Sequence, residues 1–195
     1  MNPFSYIFSF LCSQDPSRSF VIAGHILPFC QRCTGLYVGM GISFVYLLTG
    51  RLYKKGFPPL SVLYVNIASL LIMPILGFHL LDPGPVWRFW SGLVYGNAIA
   101  SLTLPAASII WHEGKVFGRY TKISTALPWI LFVFLNTIPL WFPIQSTYFY
   151  YLILALSLTG LLCILVCVVL AIVLLLKKAV VALFLKGFSN GYAES

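Results

Sequence analysis

The chain has 195 residues, of which 60% are apolar and 8% are charged, and its mean hydropathy is +0.95. This composition excludes an ordinary soluble domain, in which about a quarter of the residues are charged. The net charge of +8 does not indicate nucleic-acid binding, because the basic residues lie at predicted helix ends and not along one solvated face.

The N-terminal region predicts a polar cap outside the hydrocarbon. Residues 1–11 are apolar but too short to cross a bilayer, which favours an interfacial half-helix. They lack a basic start, and the Cys12-Ser-Gln-Asp sequence that follows is not a small-residue cleavage site, so we do not predict a cleaved signal peptide. Residues 12–32 are polar, and we therefore expect residues 1–32 to form the cap.

The remainder of the chain predicts one all-α, polytopic membrane domain, because its apolar runs are long enough to cross a bilayer as helices. Five spans are predicted at about residues 33–49, 60–81, 87–110, 123–142 and 148–176. A tail at residues 177–195 follows the last of them. The domain therefore covers residues 1–195.

The basic residues predict the orientation of these helices. Nine of the twelve lie after the first and third spans or in the tail: Arg51, Lys54, Lys55, Lys115, Arg119, Lys122, Lys177, Lys178 and Lys186. The positive-inside rule places these segments in the cytoplasm. We therefore expect a multi-pass protein of the cell membrane, with an extracytoplasmic cap, a cytoplasmic C-terminus and membrane lipids as partners. The turn around Asp82 should lie on the same side as the cap.

The most distinctive sequence is Cys12-x-Gln14-x-Pro16-x-Arg18-Ser19-Phe20, followed by Pro28-x-Cys30-x-Arg32-Cys33-Thr34-Gly35-x-Tyr37-x-Gly39. It resembles a family of small prokaryotic integral membrane proteins that is catalogued as a domain of unknown function. A second block, Asp82-x-Gly84 with Arg88 and Ser91-Gly92-x-x-x-Gly96, is similar to the same family, so the resemblance covers about residues 12–96.

This chain departs from the family pattern at one position. The pattern has a histidine after the first cysteine, where this chain has Ser13. If that histidine is a ligand or a base, this chain has lost it or has replaced it with His25 or His79. The resemblance implies no activity, so any function has to be inferred from the chemistry of the side chains.

The cysteines of the cap predict a metal site. Cys30 and Cys33 form a Cys-x-x-Cys pair where the first span begins, and the helix N-terminus and Arg32 both favour thiolate there. Cys12 offers a third sulfur, and His25 or His79 could complete a set of four ligands. Such a set suits a transition metal such as zinc. A structural disulfide between two of the three cysteines is an open alternative.

Two other functions remain open. Cys30 and Cys33, with Cys12 as a relay, would also suit a membrane thiol–disulfide oxidoreductase. The arginines Arg18, Arg32 and Arg88 could bind an anionic or lipid-linked substrate, although pairing with Asp15 and Asp82 would serve only to fix the cap. A second copy of the chain or another membrane protein could be a partner, whereas nucleic acid has no support.

Small residues predict where helices meet. Gly35-x-x-x-Gly39 and Gly92-x-x-x-Gly96 lie in the first and third spans, and this spacing allows two helix backbones to approach closely. We therefore expect those two helices to cross beneath the cap. Cys163 and Cys167 share one face of the last span, which is typical of inert packing.

Overall fold

Four helices and a β-hairpin make up the part of the chain that is described. The structure is a computed structural model that describes residues 8, 12, 14–77, 84–112 and 145–191. The strands are β1 (Ser19–Ile22) and β2 (His25–Cys30), and the helices are α1 (Gln31–Thr49), α2 (Leu60–Gly77), α3 (Pro85–Trp111) and α4 (Thr147–Gly191). Single 3-10 turns occupy Pro16–Arg18 and Leu52–Lys55.

The hairpin corrects the all-α prediction. β1 and β2 pair antiparallel, with Ile22 opposite His25 and Ser19 opposite Cys30. The turn between them needs two residues of positive φ, and Ala23 and Gly24 have φ of 51° and 78°. Such turns match the twist of paired strands, so this short segment forms a hairpin in place of a loop. Because Cys30 ends β2, the hairpin returns the chain to the level of Ser19 just before α1 begins.

Helices α1 and α3 run parallel and cross through glycines, as the sequence predicts. Gly35 and Gly39 of α1 face the backbone of Phe89 and Leu93, and Gly92 and Gly96 of α3 face the backbone of α1 in return. A Cβ atom on any of these four glycines would overlap a carbonyl oxygen of the other helix. The absence of side chains is therefore what allows the two backbones to touch.

Helix α4 completes a bundle of three parallel helices. Gly160 of α4 lies against the backbone of Tyr37, and Gly41 of α1 lies against Gly160. Farther along, Thr103 Oγ1 of α3 lies 3.8 Å from the Cys167 sulfur of α4. The N-terminus of α4 is tied to the hairpin, since the Ala23 N–H donates to Gln145 Oε1 at 2.7 Å. Helix α2 packs mainly against α3 among the described elements.

The helices differ in several ways from the predicted spans. Two of them, Pro85–Trp111 and Thr147–Val173, are long and apolar enough to cross a membrane, and Leu60–Ile75 is a shorter apolar helix. The predicted total of five is therefore not supported by the described residues. Helix α4 continues to Gly191, where the sequence predicted a separate tail from residue 177. The predicted span at 123–142 and nearly all of the predicted half-helix at 1–11 lie outside the described residues.

Candidate metal site

Three cysteine sulfurs meet where the hairpin joins α1. Cys12 precedes the first 3-10 turn, Cys30 is the last residue of β2, and Cys33 lies in the first turn of α1. Their Sγ atoms all lie within 4.8 Å of one another. Cys12 and Cys30 are 18 residues apart, and the antiparallel return of β2 is what brings them together. All three are free thiols.

Cys12 is the sulfur that most favours the thiolate form. The Cys30 backbone N–H donates to Cys12 Sγ at 3.2 Å. Hydrogen bonds from the Cys30 and Cys33 thiols lower the pKa of Cys12 to about 2. Hydrogen bonds from the backbone N–H groups of Cys30 and Gln14 also lower this pKa, whereas burial raises it. The pKa of the Cys30 thiol is raised, and the largest cause is its hydrogen bond with Cys12. The site therefore concentrates negative charge on one sulfur.

Aromatic side chains form the inner wall of the site. Phe8, Cys12, Phe29 and Tyr37 form one buried apolar cluster, against which Cys30 and Cys33 pack. The Phe29 ring stacks edge-on with both neighbours, with centroid distances of 4.9 Å to Phe8 and 5.0 Å to Tyr37. Phe29 is fully buried and Cys12 is 7% exposed. A charged sulfur in such surroundings is stable only where hydrogen bonds or a nearby positive charge replace the water that it has lost.

His25, one of the two histidines predicted as ligands, is not part of this group. His25 is exposed at the other end of β2, where its ring lies 5.3 Å from the Tyr150 ring. Cys30 lies five positions farther along the strand, a distance of about 16 Å. His79 lies outside the described residues. The structure thus brings together three of the five predicted ligands.

The three predicted arginines lie in the first 3-10 turn and in the first turns of α1 and α3. Arg88 donates from a terminal guanidinium nitrogen to Gln31 Oε1 at 3.2 Å, and Arg18 Nε lies 3.5 Å from Asp15 Oδ2. Arg32 occupies the first turn of α1 between Cys30 and Cys33, and it is partly buried. Asp82, the other predicted acidic partner, lies outside the described residues.

Gln31 is a buried polar residue beside the site that was not among the predicted site residues. It is 5% exposed and links the N-termini of α1 and α3 through Arg88. The signal in the sequence was the amide side chain directly after Cys30. If such an amide becomes buried at the start of a helix, it needs a hydrogen-bond partner.

Cys163 and Cys167 do not belong to the site. Cys163 is buried among residues of α1 and α3, and Cys167 packs against the same cluster. This position fits the predicted packing role.

Comparison with known proteins places the site in a family. The model of the family described as "Predicted membrane protein (DUF2085)" matches residues 12–102. An uncharacterized protein of Methanothermobacter thermautotrophicus is 36% identical over 111 residues, which cover 54% of this chain and 95% of that protein. This chain belongs to the DUF2085 family of predicted membrane proteins. The family resemblance found in the sequence is thereby confirmed.

The part shared with the family contains the whole candidate site. An uncharacterized protein of Methanocaldococcus jannaschii is 41% identical over 103 residues, which cover 51% of this chain and 65% of that protein. No solved structure matches the chain. The three thiols, the three arginines and the glycines of the α1–α3 crossing all lie within residues 12–102, whereas α4 lies beyond them.

Proposed function

We propose that this DUF2085 protein binds a transition-metal ion through Cys12, Cys30 and Cys33. The observation that carries the proposal is the convergence of three sulfurs within 4.8 Å. A metal–sulfur bond is about 2.3 Å long, so thiolates that share one ion lie about 4 Å apart. Small side-chain rotations would therefore bring all three sulfurs onto one ion.

Zinc is the ion that we favour, because the negative charge of three thiolates and the burial of Cys12 suit a divalent cation. Three thiolates and a divalent ion carry a net charge of −1, which the adjacent Arg32 would balance. Cys12 already accepts a backbone N–H bond, and such bonds stabilise a sulfur in its thiolate form. A three-sulfur zinc site leaves a fourth position for a further ligand, which is the arrangement of zinc sites that act on a bound molecule.

The proposal is tested on the purified wild-type chain by elemental analysis and thiol counting. We expect close to one zinc per chain, with Cys12, Cys30 and Cys33 protected from alkylation until a chelator is added. Cys163 and Cys167 serve as internal references, because their alkylation should not respond to the chelator. Absence of metal together with three outer thiols that alkylate equally with and without chelator would rule the proposal out.

Thiol–disulfide exchange is a second candidate, and the depressed pKa of Cys12 favours it. A thiolate beside two protonated thiols can form a disulfide when a partner disulfide takes up the two electrons. In this scheme Cys12 attacks the partner, and Cys30 or Cys33 resolves the mixed disulfide. The same alkylation experiment distinguishes the two functions. An exchange enzyme would show a disulfide that dithiothreitol releases, whereas a metal site would respond to the chelator.

We also propose that the chain crosses the membrane five times, with the thiol site outside the cytoplasm. Support comes from the direction of the helices, because α3 and α4 run parallel. The chain must therefore return from the end of α3 to the start of α4, over about 40 Å for a helix of this length. A span at 123–142, as the sequence predicts, would supply this return.

Reporter fusions test this topology. Alkaline phosphatase, which is active only outside the cytoplasm, is fused after Lys55, Gly84, His112 or Gln145. We expect activity after Gly84 and Gln145 and none after Lys55 and His112. Equal activity after His112 and Gln145 would mean that no crossing separates them.

A further inference from the structure

The β-hairpin carries apolar side chains on both of its faces. On the inner face, Ile22 and Leu27 are buried in one cluster with residues of α1, α3 and α4. On the outer face, Val21 and Ile26 lie opposite each other in the pairing register, and each is 53% exposed. Opposite residues of an antiparallel pair share one face, so these two side chains together point away from the helices. An antiparallel sheet with one face in water commonly carries polar residues on that face, and this hairpin does not follow that pattern.

The composition of the hairpin supports the same conclusion. Residues 19–30 contain no Asp, Glu, Lys or Arg, whereas about a quarter of the residues in a soluble domain are charged, which is about three in a segment of this length. Arg18 and Arg32 lie just outside the segment on either side. Charged side chains also commonly protect exposed strand edges from other chains, and neither of these strands has one. We therefore expect the outer face to contact something less polar than water.

Contacts with α4 fix the position of the hairpin turn. The part of α4 that is long and apolar enough to cross a membrane begins at Thr147. Just before it, Gln145 Oε1 accepts a hydrogen bond from the Ala23 N–H of the turn at 2.7 Å. Just after it, the Tyr150 ring lies 5.3 Å from the His25 ring. The hairpin turn therefore lies beside the first turn of α4, at the level where this apolar segment begins.

Exposed aromatic side chains mark the same end of the helix bundle. Tyr148 and Tyr151 of α4 are 88% and 60% exposed, and Trp87 in the first turn of α3 is 53% exposed. Tyrosine and tryptophan collect where the hydrocarbon of a membrane meets the head groups, because their rings combine an apolar body with a polar atom. Because α3 and α4 run parallel, both helices begin at this level.

We propose that the outer face of the hairpin, formed by Val21 and Ile26, lies against the head-group region of the lipid bilayer. This face adjoins the start of α4, and the inference rests on the proposed membrane crossing of that helix but not on the metal site. The depth follows from the backbone. Each strand is paired on one side only among the described residues, so the hairpin has open edges, which hydrocarbon cannot satisfy but the water among head groups can. Because Cys30 ends β2, the hairpin would also hold the thiol site near the membrane surface.

The test uses a fluorescent amino acid that is incorporated at one position of the full chain, so that all five cysteines stay in place. The chain is reconstituted into phosphatidylcholine nanodiscs with a nitroxide quencher on the lipid, either near the head group or near the end of the acyl chain, and iodide is the quencher in water. In place of Ile26, the label should be quenched by the head-group nitroxide and protected from iodide. In place of Ser17, which is exposed in the first 3-10 turn, iodide alone should quench it. In place of Leu162, which is 62% exposed within α4, the chain-end nitroxide should quench it.

A charge on the outer face gives a second readout. With the label in place of Val21, Ile26→Asp should abolish quenching by the head-group nitroxide and introduce quenching by iodide. A carboxylate favours water, whereas binding at the interface depends on the apolar area that is buried there. Ile26→Val is the matched control and should leave both quenching signals unchanged. Neither substitution alters the core, because Ile26 is exposed.

The other possible results overturn the proposal in distinguishable ways. If iodide quenches position 26 as strongly as position 17, the outer face lies in water. If neither iodide nor nitroxide reaches position 26, a protein surface covers the hairpin. In both cases quenching of position 162 by the chain-end nitroxide would show that α4 still crosses the membrane. Loss of that quenching as well would mean that the crossing of α4 fails together with this inference.

Discussion

Cys33→Ser is expected to lower the affinity for zinc by at least about 100-fold. Replacing groups that only support metal ligands typically costs about 10- to 100-fold, and Cys33 is itself proposed as a ligand. Serine keeps the size of the side chain but removes the soft sulfur, so insertion and helix packing should not change. The measurement is zinc affinity by competition with a chromophoric chelator, with Cys30→Ser tested in parallel.

The chain offers matched controls for this experiment. Cys163→Ser and Cys167→Ser make the same chemical change in α4, where the sulfurs pack against apolar side chains of α1 and α3. Both variants should bind zinc as the wild type does. Equal zinc affinity in Cys33→Ser and Cys163→Ser would contradict a site built on the three outer sulfurs.

Gly92→Ala is expected to destabilise the protein by about 3 kcal/mol, at the upper end of what overpacking usually costs. The added Cβ atom would overlap the carbonyl oxygen of Arg32, and a backbone atom cannot rotate away as a side chain can. The two helices would have to separate. For a chain of this size we expect the midpoint of thermal unfolding in detergent to fall by about 10 °C.

Gly50→Ala is the matched control for the helix crossing. A Cβ at Gly50 would lie 3.0 Å from Leu52 Cγ, in a flexible side chain, and 3.2 Å from the Tyr46 carbonyl oxygen of its own helix, about 1 Å farther than the oxygen that a Cβ at Gly92 would meet, and the backbone has an ordinary φ of −75°. This variant should unfold within about 2 °C of the wild type. A fall in the midpoint as large as that of Gly92→Ala would show that the crossing is not the source of the effect. Gly92→Ala should also weaken zinc binding, because Arg32 and Cys33 occupy the same turn of α1.

Local patterns alone identified much of this protein. The cysteine, arginine and glycine motifs were enough to recognise the family, since they occupy residues 12–39 and 82–96, inside the region that the family model matches. The glycine spacing predicted the α1–α3 crossing, because small residues four apart always share one helix face. Apolar run length predicted the approximate position of each described helix, since burial in a membrane depends on composition and length.

Contacts between distant residues could not be predicted in this way. The hairpin at residues 19–30 was missed, because four- and six-residue strands carry little periodicity and the turn has alanine where asparagine is usual. The choice of ligands followed from that hairpin: His25 is closer to Cys30 in sequence than Cys12 is, yet an extended strand holds it away.

Sequence by itself therefore determined the class of the protein, its family and the residue types available for a site. Only the tertiary structure decided which of these residues meet. The antiparallel return of β2 places Cys30 and Cys33 beside Cys12, and the parallel α1 and α3 place Arg88 beside Gln31. Composition and residue spacing along a helix are local properties of each segment. The contacts between these distant residues depend instead on how the strands and helices are oriented relative to one another.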